Sequence, residues 1–136
     1  MLRGMCTVTF TADDVPAAVA WYTDLLGVQP YFVRPEEGPP AYVEFRVGDD
    51  EDELGIMDRR YLPEGAASGG SGSSVLYWAV DDIEAAFASL LERGATVHQP
   101  VRPLGEPGWA TASVVDPFGN VLGVMSNPHW TEQHTG

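Results

Sequence analysis

Sliding the 136-residue sequence against itself by 68 positions lays Asp13 and Asp14 on Asp81 and Asp82, Ala17 and Ala18 on Ala85 and Ala86, and Ala20 on Ala88. The register also holds at the far end of each half. Leu54, Gly55, Ile56 and Met57 fall on Leu122, Gly123, Val124 and Met125, and Val47 falls on Val115. A match kept at both ends marks a duplicated supersecondary unit, so any fold assigned to one half must also serve the other.

Periodicity and punctuation give each half the same order of elements. Residues 7–11 alternate like a strand, and Asp13 or Asp14 is placed to cap a helix carrying Val15, Ala18, Val19, Tyr22 and Leu26 on one face. Gly27 ends that helix. Residues 28–33, 41–47 and 54–57 read as strands, with a loop rich in Pro, Glu and Gly at 34–40. In the second half, 75–80 reads as a strand, and Asp81 with Glu84 forms a capping box ahead of Ile83, Phe87, Leu90 and Leu91. Gly94 closes that helix, strands follow at 96–101, 110–115 and 121–125, and Asp116 to Asn120 forms the turn before the last. The expected fold is therefore α+β, one domain over 1–136 built from two βαβββ modules at 5–62 and 75–126. A Gly/Ser-rich linker at 63–74 joins them, and a polar tail around Trp130 occupies 127–136.

Charge and composition narrow the function. Seven basic against twenty acidic side chains leave a net charge of -13, which repels nucleic acid and anionic membrane surfaces and draws in cations. No run of about 18 apolar residues would cross a bilayer. The N-terminus shows no secretory h-region, and the one cysteine, Cys6, excludes an internal disulfide, so a cytoplasmic protein is expected.

Two βαβββ modules, the helix Asp14-Val15-Pro16-Ala17-Ala18-Val19-Ala20-Trp21-Tyr22 and the closing turn Asp116-Pro117-Phe118-Gly119-Asn120 together resemble the vicinal oxygen chelate superfamily. That group contains glyoxalase I, extradiol dioxygenases, fosfomycin-resistance enzymes and bleomycin-binding proteins. The resemblance spans about Cys6 to Ser126 and implies two curved sheets forming a cupped cavity, with a divalent metal held there in the enzymes. Members commonly pair, so a homodimer is expected. The family's ligands, usually His and Glu, come from the first and last strand of each module, which here correspond to Thr7, Gly55, Val75 and Gly123. None of these supplies an imidazole, carboxylate or thiolate, so no metal and no other cofactor is expected. His98, His129 and His134 do not replace them, two lying in the tail and one alone on a strand.

If those four positions face the cavity, strand alternation turns Thr9, Glu53, Met57, Tyr77, Ala79 and Met125 the same way. Val8, Phe10, Leu54, Ile56, Leu76, Trp78, Val80, Leu122 and Val124 then face the helices. On the third strand Tyr42, Glu44 and Arg46 turn to the cavity, and Trp109 stands at its mouth. The candidate ligand-binding set is therefore Thr7, Thr9, Tyr42, Glu44, Arg46, Gly55, Met57, Val75, Tyr77, Trp109, Gly123 and Met125, with ordinary core packing or ion pairing as the competing role of its aromatic and charged members. Glycine at 55 and 123 is expected to leave room for an organic guest. The leading expectation is a metal-free binding protein that sequesters a cationic or aromatic antibiotic or metabolite. The alternative is an isomerase, lyase or similar enzyme using Glu44, Glu53 or Tyr77 as acid or base, with a carboxylate pKa raised by an apolar surround.

Overall fold

The computed structural model describes residues 1–62 and 74–135, so the expected linker at 63–74 lies outside the described residues except for Ser74. The chain divides into two compact units, Met1–Ser68 and Gly69–Gly136.

The first unit contains β1 (Thr7–Ala12), α1 (Val15–Leu26), β2 (Phe32–Arg34), β3 (Tyr42–Val47) and β4 (Asp52–Asp58), followed by one 3₁₀ turn at Arg59–Tyr61. Its sheet has the order β1-β4-β3-β2, with β1 and β4 parallel and the other pairs antiparallel. The second unit contains β5 (Tyr77–Ala79), α2 (Ile83–Glu92), β6 (Thr96–Pro103), β7 (Ala110–Val115), β8 (Val121–Ser126) and α3 (Pro128–Gln133). Its sheet repeats the order as β5-β8-β7-β6, again with a parallel first pair. The two registers coincide, since Thr9 pairs with Gly55 and Tyr77 with Gly123, and both partners are shifted by the same 68 positions.

The two longer helices each start where a carboxylate meets orphan amides. Asp14 accepts from the Ala17 amide and Asp82 from the Ala85 amide, both at 3.1 Å. The cap of α2 is thus Asp82, not Asp81, because Asp82 stands immediately before the first helical residue and reaches the third amide. Gly27 ends α1 in the left-handed conformation, at φ 71°, where a side chain would be strained.

Alternation sorts the strands as expected. Phe10, Val43, Phe45, Val47, Leu54 and Ile56 are buried with Val15, Ala18 and Tyr22 of α1, and the rings of Phe10 and Tyr22 lie 6.0 Å apart. Ala112, Val114, Leu122 and Val124 form the matching layer with Ile83 and Leu90 of α2. At about 25 cal/mol per Å² of apolar surface buried, each buried Val, Leu, Ile or Phe among them contributes about 1.5–3 kcal/mol.

The differences lie at element ends. Of the strand expected at 28–33 only Phe32–Arg34 pairs, and β5 is confined to Tyr77–Ala79, whereas β6 runs on to Pro103. Within the polar tail, residues 128–133 fold into α3, with Asn127 capping the amides of His129 and Trp130. Asn at the cap followed by Pro at the first helical position is a start signal.

Candidate functional site

In the first unit, the sheet face opposite α1 carries one continuous polar and aromatic network that crosses all four strands. It begins on β1, where the Thr7 hydroxyl donates to Glu53 Oε2 at 2.8 Å. Arg46 on β3 approaches the other oxygen of Glu53 to 3.6 Å and lays its guanidinium over the Tyr31 ring, 4.5 Å from the centroid. The Tyr31 hydroxyl donates to Glu44 Oε2, and the Tyr42 hydroxyl donates to Glu44 Oε1. Phe32 meets Tyr42 edge-on at 6.3 Å, and Arg34 covers Phe32 at 4.1 Å.

The network fixes its own protonation states. The two phenol hydroxyls, Tyr31 first, hold the Glu44 carboxyl below the usual carboxylate range, because they bind its ionised form. Burial and the bond to Glu44 push the Tyr42 phenol up, and the bond to Glu44 also raises Tyr31. The raised carboxylate pKa expected of a general acid or base is therefore reversed at Glu44. Hydrogen bonding outweighs desolvation there.

Tyr42 takes its position because residue 55 is glycine. A Cβ on Gly55 would stand 2.6 Å from the Tyr42 hydroxyl and 3.0–3.1 Å from its ring. In the second unit a Cβ on Gly123 would stand 2.6 Å from the Tyr77 ring and 2.8 Å from the Leu76 carbonyl. The space expected to await a guest above each glycine is thus taken up by a tyrosine of the same unit. Those tyrosines come from different strands, β3 in one unit and β5 in the other, so the arrangement is not a simple copy of the duplication.

The remaining expected site residues are less closely joined. Thr9 is exposed beside Gly55, and Met57 is half-buried across from Tyr42. Val75 is half-buried ahead of β5, and Met125 lies between Ala79 and Thr111 with its sulfur 3.8 Å from the Asn127 amide nitrogen. Trp109 packs edge-on against His129 at 4.9 Å, so α3 engages the ring expected to line a mouth. Two members of the network, Tyr31 and Phe32, and one separate bond in the second unit carry no periodic signal in the sequence. Tyr31 immediately precedes the three-residue strand that Phe32 opens, and so short a run gives alternation no face to assign. His98 joins Ser113, Nδ1 to Oγ at 2.8 Å, through a strand whose register shifts on both sides of Gln99. No periodic count crosses such irregularities.

The four family positions do not fit a metal. Thr7 spends its hydroxyl on Glu53, Val75 has no donor atom, and a side chain at 55 or 123 would collide with the tyrosine seated there. Among the described residues no three His, Cys, Asp or Glu side chains are grouped to hold an ion.

This pair of four-stranded mixed sheets, each ordered first-fourth-third-second and backed by a helix, defines a two-module α+β protein of the vicinal oxygen chelate type. The chain belongs to the Glyoxalase/Bleomycin resistance protein/Dioxygenase superfamily, whose family model matches residues 5–124. It is similar in fold to a superfamily member from Sphaerobacter thermophilus DSM 20745, at a TM-score of 0.73 and 20% identity over 93% of this chain and 98% of the other. It is also similar to a mutant of the fosfomycin resistance protein FosX from Listeria monocytogenes, complexed with Mn(II) and a dihydroxypropylphosphonic acid. That match has a TM-score of 0.70 and 12% identity over 93% and 92% of the two chains. A third similar fold is the lactoylglutathione lyase from Agrobacterium tumefaciens, with a TM-score of 0.67 and 20% identity over 96% and 98%. No functionally curated protein matches the sequence.

Proposed function

We propose that this chain is a metal-free member of the superfamily that binds a small aromatic or cationic organic molecule, an antibiotic or metabolite, on the helix-free face of its first sheet. The observation that carries this reading is the seating of tyrosine over glycine at both last-strand positions, which replaces a ligand-bearing side chain with a ring suited to stacking. Tyr31, Phe32 and Tyr42 extend that aromatic surface, and Glu44 and Glu53 supply fixed negative charge.

The same geometry speaks against an isomerase or lyase built on Glu44. A general base works best with a pKa near the working pH, and two hydroxyl donors move Glu44 away from it.

The test joins metal analysis of untagged protein with calorimetry against cationic, neutral and anionic aromatic compounds, fosfomycin and bleomycin among the antibiotics. The expected result is less than a tenth of an equivalent of any transition metal, together with saturable binding of at least one aromatic or cationic compound that metal addition does not strengthen. A stoichiometric metal, or silence across the whole panel, refutes the proposal.

A further inference from the structure

Two rings on the first unit's helix-free face are already covered by planar cations from the chain itself. Arg34 lies over Phe32 at 4.1 Å and Arg46 over Tyr31 at 4.5 Å, both cation–π distances. Both arginines are half-exposed. The 3.6 Å approach of Arg46 to Glu53 is beyond hydrogen-bonding reach, so Tyr31, through both its ring and its hydroxyl, is the main partner of this guanidinium.

The groups around Arg46 are better anchored than Arg46 itself. Glu53 is tied to Thr7 at 2.8 Å, and Glu44 is held by both Tyr31 and Tyr42. Glu51 adds a third carboxylate acting on the same guanidinium. If Arg46 swings into solvent, the Tyr31 ring stays flanked by two carboxylates fixed by other partners, and the local charge becomes more negative. A preorganised anionic frame around an aromatic face suits a planar cation, and one is already resident.

We propose that the Tyr31 ring face is a subsite for a planar cationic group of the ligand, an amidinium or guanidinium, and that Arg46 is its resident occupant, displaced when the ligand binds. This rests on the reading of the face as a ligand surface and names the group that surface selects. An internal occupant lowers apparent affinity by the fraction of time it holds the site, so removing it strengthens binding.

The test is calorimetry on the full chain with benzamidine, its neutral isostere benzamide, and benzoate. Arg46→Gln should tighten benzamidine binding between about threefold and thirtyfold, the range expected for releasing one exposed cation–π contact and one weak ion pair. Benzamide and benzoate should change by less than about twofold, and adding Tyr31→Leu should abolish the gain. Thermal unfolding monitors the fold of each variant. Should Arg46→Gln not fold, Arg46→Lys replaces it, with a smaller gain expected because an ammonium lacks the planar fork. Unchanged or weaker benzamidine binding in the variant, or no binding to either protein at millimolar concentrations, overturns the proposal. If benzamide or another neutral aromatic still binds in that case, the binding-protein reading survives and only the cation subsite falls.

Discussion

Glycine at 55 and at 123 performs one steric task against two different obstacles. At Gly55 the three nearest atoms all belong to the Tyr42 side chain, whereas at Gly123 the Leu76 backbone carbonyl stands in the way together with the Tyr77 ring. Gly55→Ala should cost about 1–3 kcal/mol by forcing Tyr42 aside, and the penalty should nearly vanish in a Tyr42→Ala background. Gly123→Ala should sit near the top of that range, about 3 kcal/mol, and Tyr77→Ala should relieve only part of it, because the Leu76 backbone carbonyl does not swing away. Urea unfolding of the two double-mutant cycles checks both. Glu44 offers a second reading at this scale. Its folded-state pKa lies below its unfolded value, so its stabilisation is complete above the ordinary carboxyl range near 4.3 and is lost as pH falls through the folded value. Tyr42→Phe removes one of the two donors and raises that folded value. The variant should therefore lose less stability than the parent as pH falls below the ordinary carboxyl range near 4.3, although it starts less stable at pH 7, as unfolding across that fall would show. Sequence reading puts Glu44, Tyr42 and both glycines on one list of candidates but says nothing of their relation. The ring that fills the space above a glycine depends on which neighbouring strand supplies it, and pairing alone decides that.

The helices and the outer strands differ in how much of themselves they write into the sequence. A helix is a local object, so the apolar stripe of α1, its cap Asp14 and its terminator Gly27 stand within 14 residues and are readable without the rest of the chain. The same holds for α2, apart from the choice between neighbouring aspartates. Asp14→Ala and Asp82→Ala should each destabilise by about 1 kcal/mol, whereas Asp81→Ala should stay within about 0.5 kcal/mol of the parent. Equal losses at positions 81 and 82 in denaturant titrations would contradict the cap assigned to α2. Edge strands carry weaker signals because their limits depend on a partner. Phe32–Arg34 is cut short where pairing with β3 stops, and β6 runs on past its expected end because β7 continues to pair with it through two irregularities. The short α3 is the opposite case: its cap and first-turn proline were written in the sequence, and the polar composition around them masked the signal.

Taken over the whole molecule, the duplication required the two sheets to share one strand order, as they do, without saying which order that is. It did not fix the surface charge. All seven basic residues are arginine, and four of them, Arg34, Arg46, Arg59 and Arg60, make ion pairs in the first unit with Glu36, Glu53, Asp13 and Asp58. Twenty acidic residues still leave thirteen negative charges unbalanced, with five of the twenty consecutive from Asp49 to Glu53. Exposed ion pairs contribute little each, so self-repulsion among the excess carboxylates is the larger electrostatic effect on the folded state at neutral pH. Salt shortens the Debye length from about 30 Å at 0.01 M to about 3 Å at 1 M, which screens repulsion spread over the surface more than pairs in contact. The melting temperature at pH 7 should therefore rise with sodium chloride and rise equally with potassium chloride, since screening does not distinguish the cations. Near pH 4.3, the isoelectric point of the sequence, the net charge vanishes and the salt effect should flatten or reverse as the ion pairs become what salt screens most. A melting temperature that falls with salt at pH 7 would mean that specific pairs, not the excess charge, dominate the electrostatics of this fold.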